Sequence, residues 1–189
     1  DATRLCMVMQ DHHGLFSRIV GALAVVGANI VDARTYTTSD GYATAIFWMQ
    51  DKDGKPYEKS KLKRMTKSIN ETLQGLAMPK TTLADKDKFK KREREFIVPT
   101  EITFDNEGFE RYSIIEVDTR DRPGLLFDLT MTLKNANINI ASAVIATYGA
   151  QAVDVFYVKD MFGTKIHSKR KQQIIADRLR EAIDSATEE

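Results

Sequence analysis

Two short loops of this 189-residue chain carry residue types that could bind a charged small molecule. The first reads Asp-His-His-Gly-Leu over residues 11–15, and the second reads Asp-Arg-Pro-Gly-Leu over residues 121–125. An apolar helix pattern follows each loop, so each glycine lies where the amide groups of a helix N-terminus are exposed. Such a terminus carries roughly half a positive charge and suits a carboxylate. The same pattern could equally be a favourable strand-to-helix turn without a ligand.

The second loop has the more constrained backbone. Pro123 restricts φ in the first helical turn, and Gly124 allows a ligand or a neighbouring backbone to come close. Two asparagines add polar groups, because Asn29 and Asn139 each begin the strand that follows a helix, and an amide can both donate and accept. The alternative for each asparagine is a turn residue that tolerates unusual backbone angles.

These features recur because the chain uses one unit twice. A shift of 110 positions, the difference between 11 and 121, places one loop on the other without a gap as far as residue 37. The matched pairs include Leu23 with Leu133, Asn29-Ile30 with Asn139-Ile140, Ala33 with Ala143, and Thr37 with Thr147. Apolar positions match apolar ones, as expected of a duplicated supersecondary unit. A unit this small buries only ~60% of its unfolded surface, so the two copies should pack together or with partner chains.

Hydrophobic periodicity predicts the order β-α-β-β-α in each copy. The predicted strands cover residues 3–10, 29–38, 42–50, 96–104, 112–118, 138–148 and 151–158. The predicted helices follow Leu15 to Val26, Leu62 to Leu76, Leu125 to Leu133 and Ile175 to Ile183. The domains are then residues 1–78 and 96–189, joined by a charged linker over 79–95 of mixed sign, which is typical of a solvated spacer.

Strand 96–104 could close either of the two predicted sheets. Its short turn into residue 112 favours pairing with the first strand of the second copy. One copy then lacks an edge strand, and an open edge must be covered or paired. We expect packing between the two copies to provide that cover.

The bulk composition excludes several classes of function. A formal net charge of +1 gives no global field for nucleic acid or membrane. No apolar run reaches the ~18–20 residues of a membrane span, no signal peptide is present, and Cys6 cannot form an internal disulfide. We therefore expect a cytoplasmic protein with Cys6 buried in a strand. The chain begins at Asp1 without an initiator Met, which suggests a piece of a longer protein.

The motifs resemble the ACT domain, a small ferredoxin-like module that senses amino acids. The D-x-P-G-L loop, the apolar helix and a strand that opens Ala-Asn-Ile carry this resemblance. It implies an α+β fold of two ferredoxin-like (βαββαβ) ACT domains in tandem, with antiparallel sheets and helices on one face. Residues 27–33, 37–41 and 47–51, with residues 121–126, 142–143, 147–149 and 153–160, are similar to the tandem ACT domains that end bacterial bifunctional PII uridylyltransferase/uridylyl-removing enzymes.

That resemblance implies a regulatory module rather than a catalyst. Its ligand would be an amino acid, with glutamine named by the resemblance, and its partners would be upstream catalytic domains and, through them, PII proteins. We expect the ligand between a loop of one copy and the second-strand start of the other. The amides near Gly124 and Leu125 would take the carboxylate, Asp121 or Asp11 the ammonium, and Asn29 or Asn139 the polar end. The remaining predicted site residues are Arg122, Pro123, His13, Gly14, Leu15, Ile30 and Ile140.

One departure from the motif concerns the first loop, where His13 replaces the proline. It leaves open whether that loop binds a ligand. The Asp-His-His triplet at 11–13 resembles a phosphoesterase signature, but the chain lacks the further Asp and His ligands that such metal chemistry needs. We expect no catalytic residue, no metal site and no cofactor.

Two other functions share this order of elements. Residues 40–47 resemble an RNA-recognition octamer, but Asp40 and Thr44 replace its basic and aromatic residues. The second copy lacks the octamer altogether, so nucleic acid is not expected. The remaining alternative is a ligand-free ACT-type module for association or homodimerisation.

Overall fold

The computed structural model describes residues 1–51, 53–75 and 98–185. Within these residues, seven strands and four helices alternate in two blocks. The first block contains β1 (Thr3–Gln10), α1 (Leu15–Val25), β2 (Asn29–Thr37), β3 (Tyr42–Gln50) and α2 (Lys59–Leu73). The second contains β4 (Glu101–Asp105), β5 (Ser113–Arg120), α3 (Leu125–Asn135), β6 (Ile138–Tyr148), β7 (Gln151–Asp160) and α4 (Lys169–Asp184). The fold is therefore α+β, with the strands close to their predicted positions.

The first sheet has three antiparallel strands in the order β1-β3-β2. Burial alternates along β3, as it does on a sheet with one covered face. Its inner face contributes Phe47 and Met49 to a core with Ile19 and Leu23 of α1. Phe16 at the start of α1 stacks on Phe47 with ring centroids 5.6 Å apart. The apolar stripe of α1 thus holds the preceding loop against this sheet.

The second sheet has four antiparallel strands in the order β4-β5-β7-β6. The strand predicted over 96–104 is observed as Glu101–Asp105, and it pairs with β5, which is the pairing that its short connection favours. Residues 96 and 97 and the charged linker over 79–95 lie outside the described residues. The domain boundaries that depend on that linker stay a prediction.

The correspondence between the two blocks changes spacing at the hairpins. Thr37 pairs with Ala43 across the first hairpin, and Thr147 pairs with Ala152 across the second. The spacing is 110 residues before each hairpin (147 − 37) but 109 after it (152 − 43). The buried Phe47 therefore corresponds to Phe156, and Ala45 corresponds to Asp154.

The two blocks meet through one edge of each sheet. Strand β2 lies alongside β6, and helix α1 packs against α3. The two edges that meet are therefore β2 and β6, whereas β1 has only β3 as a strand neighbour among the described residues. Our expectation that packing between the copies would cover the incomplete edge was wrong, because that edge belongs to β1.

Two further observations concern the surface. Cys6 is exposed, so the prediction of a buried cysteine was wrong; it points to the outer face of β1, where Val8 is also 67% exposed. The alternation of β1 was too loose to assign its faces from sequence. Among the described helices, none is long and apolar enough to cross a membrane.

Candidate ligand-binding site

The two loops have the same backbone geometry. Gly14 and Gly124 are the N-cap residues of α1 and α3, with φ of 80° and 81°. This left-handed conformation strains any residue with a Cβ atom, which is why glycine stands at both positions. The amides of Leu15 and Leu125 donate to the carbonyl groups of His12 and Arg122, at 3.0 and 3.2 Å. These turns direct the next amides of each helix into a cleft.

Each loop faces the start of a strand from the other block. A first cleft of about 340 Å³ lies between residues 11–15 and residues 138–140. A second cleft of about 540 Å³ lies between residues 121–127 and residues 27–30. Every predicted site residue lines one of them: Asp11, His13, Gly14, Leu15, Asn139 and Ile140 the first, and Asn29, Ile30, Asp121, Arg122, Pro123, Gly124 and Leu125 the second. Their role in binding stays a prediction.

Side chains bridge the first cleft. The ring nitrogens of His13 lie 2.7 Å from Asn139 Oδ1 (Nδ1) and 3.2 Å from the carbonyl oxygen of Lys134 (Nε2). The aliphatic chain of Lys134 lies over Gly14, so close that a Cβ atom there would be 2.6 Å from Lys134 Cδ. The carboxylate of Asp11 accepts a hydrogen bond of 2.8 Å from the Thr37 hydroxyl. The polar groups proposed for a ligand in this cleft already contact one another.

The second cleft has none of these bridges. Pro123 stands at the position of His13, and Ala24 stands at the position of Lys134, each 110 residues away. Within the described residues, the Asn29 side chain makes no hydrogen bond, and it is exposed at the cleft. The asymmetry follows from two substitutions between otherwise equivalent sites, and it leaves the second cleft open to a small molecule.

Arg122 lines the second cleft but binds within its own block. Its Nη2 atom lies 2.7 Å from Asp128 Oδ2 and donates to the carbonyl oxygen of Ala182 at 3.0 Å. The side chain is almost fully buried, with only 2% exposed, so these contacts are shielded from water. We interpret Arg122 as a tie between the loop, α3 and the end of α4.

The floor of the second cleft holds a carboxylate that we did not predict as a site residue. Asp154 on β7 is only 2% exposed, and its Oδ1 atom has no hydrogen-bond partner within the described residues. Burial, with the nearby Asp121 carboxylate, raises the pKa of Asp154 to about 8, against a smaller lowering by the amide of Ala146. Burial also raises the pKa of Asp121, although the backbone and charge of Arg122 oppose the shift.

A sequence signal for Asp154 did exist. On β7 the inward positions are Ala152, Asp154, Phe156 and Val158, so one carboxylate interrupts an apolar row. A charged residue at an inward strand position breaks the local pattern and often marks a functional site. The signal could be recognised only once the strand faces were assigned.

Metal chemistry finds no support in this part of the chain. Across residues 1–51, 53–75 and 98–185, no three His, Cys, Asp or Glu side chains are grouped so that they could hold a metal ion. The Asp-His-His triplet at 11–13 instead contributes to the bridged first cleft.

Comparison with known proteins links this geometry to a family of regulatory domains. Residues 101–187 match the family described as the ACR9-like, ACT-like domain. The chain is 63% identical over 188 residues to a bifunctional uridylyltransferase/uridylyl-removing enzyme of Cereibacter sphaeroides, and 60% identical to the same enzyme of Ruegeria pomeroyi. Both alignments cover 100% of this chain, which spans about a fifth of the length of these curated relatives (20% and 21%).

A solved structure supports the fold alone. The crystal structure of aspartate kinase from Synechocystis superposes with a TM-score of 0.50 at 14% identity. The match covers 96% of this chain and 27% of the kinase chain. An α+β ACT-like fold is therefore found within a larger protein of different overall sequence.

Proposed function

We propose that this chain, whose curated relatives are bifunctional uridylyltransferase/uridylyl-removing enzymes, is a tandem pair of ACT domains that regulates such an enzyme by binding an amino acid. The ligand is glutamine, and the catalytic domains lie elsewhere in the parent protein. Ligand binding shifts the balance between uridylylation and deuridylylation of PII proteins. The chain itself needs no cofactor for this role.

One observation carries the proposal: the second cleft presents both charge signs that an amino acid requires. The first-turn amides of α3, at Leu126 and Phe127, receive the carboxylate at the positive end of the helix dipole. The carboxyl groups of Asp121 and Asp154 receive the ammonium group. The amide of Asn29 at the cleft edge hydrogen-bonds the polar end of the side chain.

The asymmetry of the clefts supports one ligand per chain. The first cleft is occupied by its own His13, Asn139 and Lys134, so a ligand there would have to break those contacts. The second cleft would admit a ligand without such a rearrangement. A sensor of a millimolar metabolite needs only ~4 kcal/mol of binding free energy, which this set of contacts is sufficient to provide.

Calorimetric titration with L-glutamine tests the proposal. Asp121→Ala should weaken binding by at least about tenfold, because it removes a charged partner of the ammonium worth ~1.5–3 kcal/mol. The matched variant Asp11→Ala, at the equivalent position of the first cleft, should leave the affinity unchanged. L-Glutamate and 2-oxoglutarate serve as ligand controls.

The location of the site needs a separate variant. Ala24→Lys introduces into the second cleft the lysine that covers the first, and it should abolish binding while thermal unfolding shows an intact fold. Saturable binding that survives both Asp121→Ala and Ala24→Lys would contradict the assignment. Absence of any heat from folded wild-type protein would instead favour an association module.

A further inference from the structure

The buried carboxyl of Asp154 is unlike the other inward-facing carboxyl of its strand. Asp160 accepts backbone N–H groups of Phe162 and Thr164 and lies 3.6 Å from Lys171 Nζ. Asp154 has an oxygen without any hydrogen bond within the described residues, and it lines the floor of the second cleft. A polar atom buried without a partner costs ~1–3 kcal/mol, so its presence requires an explanation.

The fold does not need a carboxyl at this position. The equivalent residue in the first block is Ala45, which is 4% exposed and lies on the inner face of β3 in the first cleft. Both sheets have the same register at this point, so an alanine satisfies the packing. The carboxyl is therefore a feature of the second cleft and not of the sheet.

The groups around Asp154 provide no cation that pairs with it. The adjacent residues on β5 and β6 are Val117 and Ile145, which are uncharged. The charged residues that line the cleft are Asp51, Asp121 and Arg122, and the Arg122 guanidinium contacts Asp128 and the Ala182 carbonyl. Two carboxyl groups face a common space, and with a pKa of about 8 Asp154 holds its proton at neutral pH while the cleft is empty.

We propose that the ligand's ammonium group binds Asp154 by replacing the acid proton of that residue, so that each ligand that enters the second cleft releases one proton to the solvent. This inference rests on the proposed function and names a group of the site that neither the family match nor the relatives assign. The carboxyl O–H bond of Asp154 breaks, its electron pair stays on the oxygen, and the proton leaves to buffer. The carboxylate then accepts hydrogen bonds from the ammonium group.

The exchange keeps the charge of the buried site constant. A neutral carboxylic acid in the empty cleft becomes a carboxylate paired with an ammonium, so no uncompensated charge is buried in either state. A ligand without the ammonium group cannot make this exchange, and it would leave Asp154 as an unpartnered acid. Asp154 is thus a specificity-determining residue for amines, and it should link affinity to pH.

Calorimetry in several buffers measures the exchange directly. L-Glutamine is titrated into wild-type protein at neutral pH in buffers of low and high ionisation enthalpy, such as phosphate and Tris. The dependence of the observed heat on that enthalpy should correspond to release of nearly one proton, and it should vanish at a pH well above 8. Below that value, affinity should rise about tenfold per pH unit. The deaminated analogue 4-carbamoylbutanoate should bind without proton release or not at all.

Variants assign the proton to its residue. Asp154→Ala copies Ala45 of the first block and should abolish proton release and weaken binding by about tenfold or more. Asp160→Asn removes the other inward carboxyl of the strand, outside the cleft, and should leave proton release unchanged. Should Asp154→Ala unfold, carbon-13 NMR of the wild-type carboxyl supplies the same information, because Asp154 should titrate near 8 in the free protein and ionise on saturation with glutamine.

The outcomes separate the two proposals. Glutamine binding without proton release at neutral pH, or an Asp154 carboxyl that titrates in the ordinary acid range, would overturn the exchange and leave the proposed function standing. Proton release that persists in Asp154→Ala would also overturn it. If glutamine fails to bind the folded wild-type protein, the proposed function fails first, and the exchange fails with it.

Discussion

At the scale of single residues, Asp154 imposes a cost on the fold that varies with pH. Its pKa of about 8 in the folded protein exceeds the ordinary value of 3.8, because the site is buried and faces Asp121. Between these two values the folded protein retains a proton that the unfolded chain has lost. Stability therefore falls as pH rises through this window, by up to about 1.4 kcal/mol per pH unit.

The substitution Asp154→Asn should remove this pH dependence. Asparagine keeps the shape and the neutral state, so the variant should gain stability over wild type between pH 3.8 and about 8, reaching on the order of a few kcal/mol at the upper end. Urea unfolding at a series of pH values measures the difference. Curves for the two proteins that run parallel throughout this range would refute the assigned protonation state.

A neighbouring carboxyl offers a control of opposite sign. Hydrogen bonds from the backbone of Thr164, with smaller contributions from Phe162 and Lys171, lower the pKa of Asp160 below its ordinary value. Its stabilising effect is therefore present above 3.8 and is lost as pH falls through the folded-state pKa. Asp160→Asn should lose stability at neutral pH and converge with wild type in acid.

At the scale of elements, the loop between β5 and α3 depends on Arg122. This side chain joins the loop to α3 through Asp128 and to the end of α4 through the carbonyl of Ala182. The glycine that follows at position 124 needs a positive φ, and the arginine holds the residues before it against the second block. The geometry of the second cleft thus follows from contacts with an element 60 residues along the chain.

The variant Arg122→Ala should destabilise the protein by roughly 3–5 kcal/mol, because it leaves a partly buried carboxylate and a carbonyl group without their partner. Arg122→Lys should recover only part of this loss, since an ammonium lacks the planar fork that reaches both acceptors. Denaturant unfolding measures both variants. The prediction is wrong if alanine costs less than ~1 kcal/mol, the range of an exposed ion pair.

At the scale of the whole molecule, the two blocks should unfold together. Each is small enough to be marginal alone, and they share the contacts of β2 with β6 and of α1 with α3. The clefts lie at the same junction, so any independent movement of the blocks would change both. Cooperative unfolding is therefore a condition for the site geometry that we describe.

The variant Leu179→Ala tests this cooperativity. Leu179 is fully buried on α4 in the second block, and its truncation should cost ~2–5 kcal/mol. The single tryptophan, Trp48, reports on β3 in the first block. The unfolding midpoint by Trp48 fluorescence should shift as far as the midpoint by far-ultraviolet circular dichroism. A Trp48 transition that does not move would show that the blocks unfold independently.

The order and the approximate bounds of the described elements follow from the sequence. Apolar periodicity and glycine-containing turns are local signals, so strands such as β1 and β6 and helices such as α1 lie close to where the sequence predicts them. The spacing of 110 residues also identified the equivalent loops at Gly14 and Gly124, which adopt the same φ. Local conformation depends on neighbours along the chain, and a sequence displays these directly.

Only the tertiary structure decided which cleft is open and what lies at its floor. The contact between His13 and Asn139 joins residues 126 positions apart, and Lys134 covers Gly14 across the same junction. The change from 110 to 109 at the hairpins places Asp154 opposite Ala45, and burial beside Asp121 then changes its protonation. These properties depend on the packing of two blocks against each other, because distance and dielectric environment are set by residues remote in the chain.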